Sequence, residues 1–239
     1  MQLDRILQSQ GFGSRKECRA LVREGEVKIG GEVVTDPFAE YDTAGFTFEI
    51  GEWDWEYAER IYIALNKPAG YECSHDPKDH PSVFTLLPEP LIVRGVQSLG
   101  RLDVDTTGLL LFSDDGQFVH ALSSGKRHVT KTYRTTIKHN IDDALIEKLL
   151  TGVQLVDEKE PLRALTVKQT DEHTLEITVD QGKYHQVRRM IAAASNRMEA
   201  LHRFSFGELS LENGSLPELE PEDWCYLKPK HLEILGYKA

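Results

Sequence analysis

The sequence is poor in cysteine and has no long apolar run. Its three cysteines, Cys18, Cys73 and Cys225, lie far apart and form no Cys-x-x-Cys pair. This usage is typical of reduced thiols in a cytoplasm and disfavours a structural zinc site. The longest purely apolar run is near Leu109–Phe112, far short of the roughly 18 residues that a membrane-spanning helix needs. The first ten residues carry charges where a signal peptide has its apolar segment, so we expect a soluble cytoplasmic protein.

The chain also lacks net positive charge, because 39 Asp and Glu outnumber 28 Lys and Arg and give a net charge of −11. An excess of acid disfavours nucleic-acid binding, since phosphate contacts need cations. The charge is unevenly distributed, however. Residues 123–138 contain five Lys or Arg and no acid, and residues 180–203 contain five Lys or Arg against two acids. Residues 204–239 contain seven acids against three lysines. The two basic clusters are compatible with an RNA-binding groove and equally with a solvated surface.

Residues 1–44 predict a small domain of two short helices and a hairpin. Ser14 and Glu17 have the Ser-x-x-Glu spacing of a capping box, which places the start of the second helix. The glycine pair at 30–31 predicts a tight hairpin turn. Four cations lie along the second helix: Arg15, Lys16, Arg19 and Arg23. These cations face either RNA or only water. The acidic and poorly patterned stretch 42–59 is interpreted as an edge strand plus linker, and residues 45–60 are assigned as the linker between the two domains.

Residues 61–239 predict a second and larger domain. Strands are expected from apolar alternation after residue 61 and at residues 109–112 and 132–138, with a hairpin formed by residues 164–170 and 174–180. Helices are expected at residues 117–124, 142–152 and 185–196, the last with Val187, Met190, Ile191 and Ala194 as its buried stripe. Strands separated by short turns, with a few helices packed on the sheet, indicate an α+β fold.

Residues 100–111, GRLDVDTTGLLL, raise the question of which chemistry needs two aspartates two residues apart. A calcium loop would place Asp103 and Asp105 at alternate ligand positions, but its ninth position would be Leu and its twelfth a short Asp. A phosphoryl-transfer aspartate would follow an apolar strand, whereas here the apolar run comes after it. A tight turn over residues 105–108 is the structural interpretation, and it leaves Arg101 and Asp103 without a role.

This segment resembles the aspartate motif of the pseudouridine synthases, in particular the branch that modifies ribosomal RNA and carries an N-terminal S4 RNA-binding module. Three further segments resemble motifs of that family in the same order: LNKPAGYECS, KRHVTKTY and QGKYHQVRRMIAAA. The first forty-odd residues resemble the S4 module. YECSHDPKDHPSV and YHQVRRM resemble the branch member that acts on small-subunit (16S) rRNA, from which large-subunit relatives usually differ at both places.

The resemblance implies a mostly antiparallel mixed sheet with packed helices and an isomerisation of uridine that uses no cofactor and no metal. It implies that Asp103 is the essential carboxylate, as a nucleophile at C1′ or as a base at C2′ of the target nucleotide. Arg188 would pair with Asp103, which would lower the carboxyl pKa and hold its geometry. Tyr133 would stack on the target uracil.

RNA contacts are expected from Arg101, Lys131, the four cations of the second helix and Arg189, the last of which is RNA-facing or structural. Lys67 is expected to support the active-site strand without touching substrate, and His185 to stabilise the fold or contact RNA. The expected partner is ribosomal RNA in a small-subunit assembly intermediate, bound by a monomer with no membrane association. A large-subunit (23S) synthase and a non-catalytic ribosome-assembly factor stay open as alternatives.

Overall fold

A computed structural model describes residues 1–51, 53–124 and 127–238. The chain forms two compact units. Unit 1 comprises Met1–Ile61 and Leu87–Val96, and unit 2 comprises Tyr62–Leu86 and Gln97–Ala239. Lys126, one of the cations in the first predicted basic cluster, lies outside the described residues. Across the described part of the chain, no helix is both long and apolar enough to cross a membrane.

Unit 1 combines short helices with a small antiparallel sheet. Its elements are α1 (Leu3–Ser9), α2 (Arg15–Arg23), β1 (Val27–Ile29), β2 (Glu32–Val33), β3 (Thr47–Ile50), β4 (Trp53–Glu56) and α3 (Glu89–Val93). The strands are ordered β2-β1-β3-β4. The predicted capping box is confirmed, because the Ser14 hydroxyl accepts from the Glu17 amide and the Glu17 carboxylate accepts from the Ser14 amide. The predicted hairpin turn is confirmed by φ values of 61° at Gly30 and 82° at Gly31.

The stretch expected to be an edge strand plus linker contains the edge strand β4 and also β3, and residues 45–60 belong to unit 1 instead of linking two domains. Phe46 and Phe48 are buried in the core of unit 1. Along β4 the exposed Asp54 alternates with the half-buried Trp55, as expected for an edge strand with one face to solvent. Two of the acidic residues that suggested a linker, Asp54 and Glu56, therefore occupy exposed positions of a paired strand.

The chain returns to unit 1 at residues 87–96, which the sequence had placed in the larger domain. The Arg94 guanidinium at the end of α3 donates to the Gln10 side-chain oxygen at 2.7 Å and to the Ala58 carbonyl at 2.9 Å. A Cβ on Gly11 would lie 2.0 Å from the Pro90 carbonyl oxygen, so α3 approaches the backbone after α1 very closely. These contacts join segments that are far apart in sequence, and no local pattern indicates them.

Unit 2 contains one large sheet and most of the helices. Its elements are β5 (Tyr62–Lys67), a 3-10 turn (Val83–Leu86), β6 (Gln97–Ser98), β7 (Thr107–Ser113), α4 (Gly116–Ser123), β8 (Lys131–Ile137), α5 (Asp143–Thr151), β9 (Thr166–Asp171), β10 (Thr174–Val179), α6 (Gln186–Ala193), β11 (Met198–Phe206), β12 (Leu209–Ser210), β13 (Trp224–Tyr226) and α7 (Pro229–Ile234). The main order is β13-β5-β7-β11-β8-β10-β9, with β6 beside β7 and β12 beside β11. β7 and β11 pair in parallel and the other pairs are antiparallel. The predicted α+β fold with a mostly antiparallel mixed sheet is confirmed.

Both faces of β5, the second strand of the large sheet, are covered. All six residues of β5 are buried, so the apolar alternation after residue 61 does not mark a solvent-facing side. On α6 the predicted buried stripe is confirmed, since Val187, Met190, Ile191 and Ala194 are at most 4% exposed. This stripe packs in a core with Leu145 and Leu149 of α5 and with the inner side chains of β10. Apolar packing against α5 and β10 therefore fixes the position of α6.

The parallel pair of β7 and β11 depends on a glycine. Gly108 has φ of +107° and lies opposite Arg203, and a Cβ built on it would lie 2.2 Å from the Arg203 carbonyl oxygen. The buried Arg203 side chain also donates from Nε to the Leu109 carbonyl at 2.8 Å. Residues 99–106 lead directly into β7. The close approach of Gly108 to Arg203 therefore fixes the point at which these residues join the sheet.

We expect Gly108→Ala to lower the free energy of unfolding by more than about 3 kcal/mol, because it combines a clash with backbone with a disfavoured φ. Gly214→Ala is the matched control, since Gly214 also has a positive φ of 77° but open space around its missing Cβ. The control should cost about 1–2 kcal/mol. Urea unfolding of both variants measures the difference. Equal losses of stability would contradict a close approach between Gly108 and the Arg203 backbone.

Candidate active site

Three segments that are distant in sequence meet around the aspartate loop, residues 99–106, which joins β6 to β7. They are this loop, the strand β8 and the turn that precedes α6. They form an inner pocket of about 60 Å³, lined by Arg101, Asp103, Thr106, Tyr133, His185 and Arg188 among others. An outer cleft of about 470 Å³ lies over the same loop and is lined by residues 72–74, 100–104 and 182–185. The three residues that the sequence suggested for catalysis, Asp103, Tyr133 and Arg188, therefore line one pocket.

The Lys67 ammonium binds the backbone of the aspartate loop. Its side chain is fully buried at the end of β5. The ammonium donates to the backbone carbonyls of Pro68 at 2.9 Å, Asp103 at 3.2 Å, Val104 at 3.3 Å and Thr106 at 2.9 Å. Burial lowers the pKa of Lys67, and nearby thiol and carboxyl charges oppose that shift. The expected supporting role of Lys67 agrees with these contacts, which bind the loop backbone and leave the carboxylates available to other partners.

Asp103 contacts His185, and Arg188 contacts Asp105. The Asp103 carboxylate lies 3.1 Å from His185 Nε2, and the Asp105 carboxylate lies 2.6 Å from Arg188 Nη2. The expected pairing of Arg188 with Asp103 is therefore wrong for this structure. The reason is geometric, because the left-handed backbone at His185, just before α6, brings its imidazole to Asp103, while Arg188 on the first turn of α6 reaches Asp105. No local sequence pattern indicates a left-handed residue at this position.

Arg188 nevertheless remains at the pocket. Its Nε atom is buried and has no hydrogen-bond partner within the described residues. Tyr133 lies on β8, where it pairs with Ile177 of β10 and Arg203 of β11, so two neighbouring strands hold its backbone. Asp103 keeps 31% of its side-chain surface exposed. The pocket thus offers a partly accessible carboxylate, an aromatic ring and an unused guanidinium donor.

Lys131, expected to contact RNA, is occupied by the protein itself. Its ammonium donates to the Val129 carbonyl at 2.6 Å and lies 5.3 Å from the centre of the Phe206 ring. Burial and the neighbouring Arg203 lower the pKa of Lys131 to about 8. A half-buried amine with these partners is a structural group of the sheet and makes a poor phosphate contact.

Arg189 is also used internally, whereas Arg101 is exposed. Arg189 donates to the carbonyls of Val156 and Tyr184 and lies 3.7 Å from the Glu158 carboxylate. It therefore ties the loop after α5 to the turn before α6. Arg101 lies on the solvent side of the aspartate loop and lines both the inner pocket and the outer cleft.

The four cations of α2 divide into two pairs. Arg15 and Arg19 both bind the fully buried carboxylate of Asp4, at 3.1 Å and 2.8 Å. Lys16 and Arg23 are exposed. The first pair compensates a buried charge and so stabilises α1 against α2. The second pair is the part of this helix that is accessible to an anionic partner.

The described residues contain no group of three or more His, Cys, Asp or Glu side chains that could hold a metal ion. Within the aspartate segment the two carboxylates take separate partners, one an imidazole and the other a guanidinium. This geometry therefore does not direct the two carboxylates towards one shared cation.

Comparison with known proteins identifies the relatives of this chain. Residues 61–193 match the family described as RNA pseudouridylate synthase, and residues 1–37 match the S4 domain. The chain belongs to the RNA pseudouridylate synthases. This pseudouridylate synthase is 36% identical over 223 residues to the ribosomal small subunit pseudouridine synthase A of Haemophilus influenzae, covering 92% of this chain and 94% of the relative.

Two further comparisons cover nearly the whole synthase. The ribosomal small subunit pseudouridine synthase A of Vibrio parahaemolyticus is 37% identical over 239 residues, with 98% of each chain covered. A crystal structure described as a pseudouridylate synthase superimposes with a TM-score of 0.68 at 32% identity, covering 98% of this chain and 99% of that one. The family inferred from four ordered motifs is confirmed.

We expect Lys67→Met to reduce isomerase activity of this synthase by at least about a hundredfold, because positioning errors at the reacting groups are costly. It should also lower the free energy of unfolding by about 2–4 kcal/mol, since it removes the donor to buried carbonyls. Lys168→Met is the control, because that lysine on β9 is 74% exposed. Activity assays and urea unfolding compare the two variants. Equal activity and equal stability of both would contradict the supporting role of Lys67.

Proposed function

We propose that the protein converts one uridine of small-subunit (16S) ribosomal RNA to pseudouridine without a cofactor. The observation that carries this proposal is the inner pocket, where Asp103, Tyr133 and Arg188 lie together beside the exposed Arg101. A protein that only binds RNA has no need of a carboxylate, an aromatic ring and a guanidinium lining one pocket. Relatives named for the ribosomal small subunit support the choice of substrate.

The reaction breaks the bond between N1 of uracil and C1′ of ribose and forms a bond between C5 and C1′. The proton leaves C5, and N1 ends with a proton, so the product is an isomer. We assign Asp103 as the carboxylate that acts at C1′ or C2′ and Tyr133 as the ring that stacks on the loose uracil. A small pocket closed by the substrate RNA excludes water while the base is detached.

We assign His185 and Arg188 as positioning residues in the resting enzyme. His185 holds Asp103 through its 3.1 Å contact, and Arg188 holds the next turn of the loop through Asp105. The buried Nε of Arg188 is a remaining donor for the substrate or for Asp103 once the RNA is bound. The Asp103 side chain is therefore oriented by the residue before α6, while Lys67 orients the backbone that carries it.

The target uridine must leave its helix before reaction, at a cost of a few kcal/mol. Arg101 lies beside the pocket on the solvent side and is placed to hold the displaced backbone. The S4 domain binds structured RNA through phosphates and shape, with Lys16 and Arg23 as its accessible cations on α2. We further propose a monomer acting in the cytoplasm on a small-subunit assembly intermediate.

The substrate is tested by mapping pseudouridine in rRNA with carbodiimide chemistry, in cells with and without this protein. Disappearance of pseudouridine from one 16S position supports the proposal. Its disappearance from a 23S position favours the large-subunit alternative, and an unchanged map favours a non-catalytic assembly factor.

Asp103→Asn should lower isomerisation of a 16S substrate by at least about a thousandfold, because an amide supplies neither a nucleophile nor a base. Folding and RNA binding should be kept, and no added metal should be needed by the unaltered enzyme. Asp105→Asn is the matched control, two residues away, and should retain measurable activity. Full activity of Asp103→Asn would refute the assignment.

RNA affinity should fall steeply with added salt despite the acidic composition, because local cations make the contacts. Replacing Lys16 and Arg23 by Gln should reduce the slope of log Kd against log salt by about one for each phosphate that is no longer neutralised. Replacing the exposed Lys168 in the same way should leave the slope unchanged. A flat salt response of the unaltered protein would show that these cations are only solvated surface.

A further inference from the structure

Tyr184 presents an aromatic ring to solvent at the edge of the outer cleft. The residue is 67% exposed, although a large aromatic side chain is usually at least half buried in a folded protein. The ring stacks on His185, with centroids 3.8 Å apart and an angle of 21° between the planes. Tyr184 thus forms the outer member of a two-ring stack, and its outer face is open to a further planar group.

The inner member of this stack leads directly to the reacting group. His185 has a left-handed backbone, with φ of 47°, at the residue before α6. This conformation is uncommon outside glycine, although His adopts it more readily than most residues. It directs the imidazole towards Asp103, 3.1 Å away. The stack therefore runs from solvent to the catalytic carboxylate in two rings.

The cleft beside Tyr184 has the size and charge that suit a nucleotide. Its volume is about 470 Å³, within the range of ligand sites. Arg101 is exposed along it, and the exposed Lys183 lies on its wall with its ammonium 3.1 Å from the Glu158 carboxylate. The one acid on its wall outside the aspartate loop, Glu72, accepts hydrogen bonds from the backbone amides of residues 78–80, which offset its charge.

We propose that Tyr184 is a stacking platform for an unpaired RNA base adjacent to the target uridine. The inference rests on the proposed function, because that function places the target sugar at Asp103. Aromatic rings bind splayed bases of any sequence through their π faces. A uridine that leaves its helix removes the stacking partner of its neighbour, and Tyr184 supplies a replacement. Because Tyr184 packs on His185, occupation of the platform also steadies the imidazole that holds Asp103.

Fluorescence of 2-aminopurine tests this directly. The probe is a 16S rRNA hairpin that carries 2-aminopurine immediately 5′ or 3′ of the target uridine, bound to the full chain. Stacking on Tyr184 should quench the fluorescence at one of the two positions. Tyr184→Phe keeps the ring and should keep the quenching, whereas Tyr184→Leu should abolish it.

Steady-state kinetics on the unlabelled hairpin provide the second readout. Tyr184→Leu should raise KM by about tenfold, as expected when one base no longer stacks, and Tyr184→Phe should stay close to the unaltered enzyme. A merely structural role of the ring would lower thermal stability and leave the 2-aminopurine signal of the folded fraction unchanged. Unchanged quenching and an unchanged KM in Tyr184→Leu overturn the proposal.

The unaltered enzyme, assayed in parallel, separates this inference from the proposed function. If the unaltered enzyme isomerises the hairpin but the Leu variant binds and reacts equally well, the stacking platform alone fails. If the unaltered enzyme isomerises no 16S substrate, the proposed function itself fails, and the platform with it.

Discussion

The buried ammonium of Lys67 is the interaction on which the site depends. Four backbone carbonyls, three of them from the aspartate loop, converge on one positive charge at the end of a fully buried strand. A loop that moved away would leave an uncompensated charge in the core, which is strongly unfavourable. The backbone of Asp103 and Asp105 is therefore held in place, and His185 and Arg188 orient the two carboxylates.

The charge of the protein is divided between internal and external tasks. Many of its cations neutralise acids or bind carbonyls within the fold: Arg15 and Arg19 at Asp4, Arg134 at Glu176 and Glu212, Arg189 at the loop after α5, and Lys131 at β8. Other cations, such as Lys16, Arg23 and Arg101, are exposed and accessible to an anionic partner. Neither the net charge of −11 nor the basic clusters alone describes this division, because both count residues without regard to their partners.

Local patterns predicted the local structure well. The capping box, the glycine turn, the stripe of α6 and the β9–β10 hairpin follow from spacing, because their partners lie within a few residues. The motif resemblance identified the family. It also pointed to Asp103, Tyr133 and Arg188, which the structure places in one pocket. What the sequence missed depends on distant partners: residues 87–96 return to unit 1, β3 and β4 pair with β1 and with each other, and His185 takes the place expected for Arg188.

The parallel pairing of β7 with β11 has a consequence for synthesis of the chain. The strand that follows the aspartate loop receives its neighbour from residues 198–206, which are translated long after it. Long sequence separation makes such contacts slow to form. During translation β7 can pair early with its antiparallel neighbour β5, but the pocket is completed only when most of the chain has emerged. The topology of the sheet thus makes completion of the pocket one of the late steps of folding.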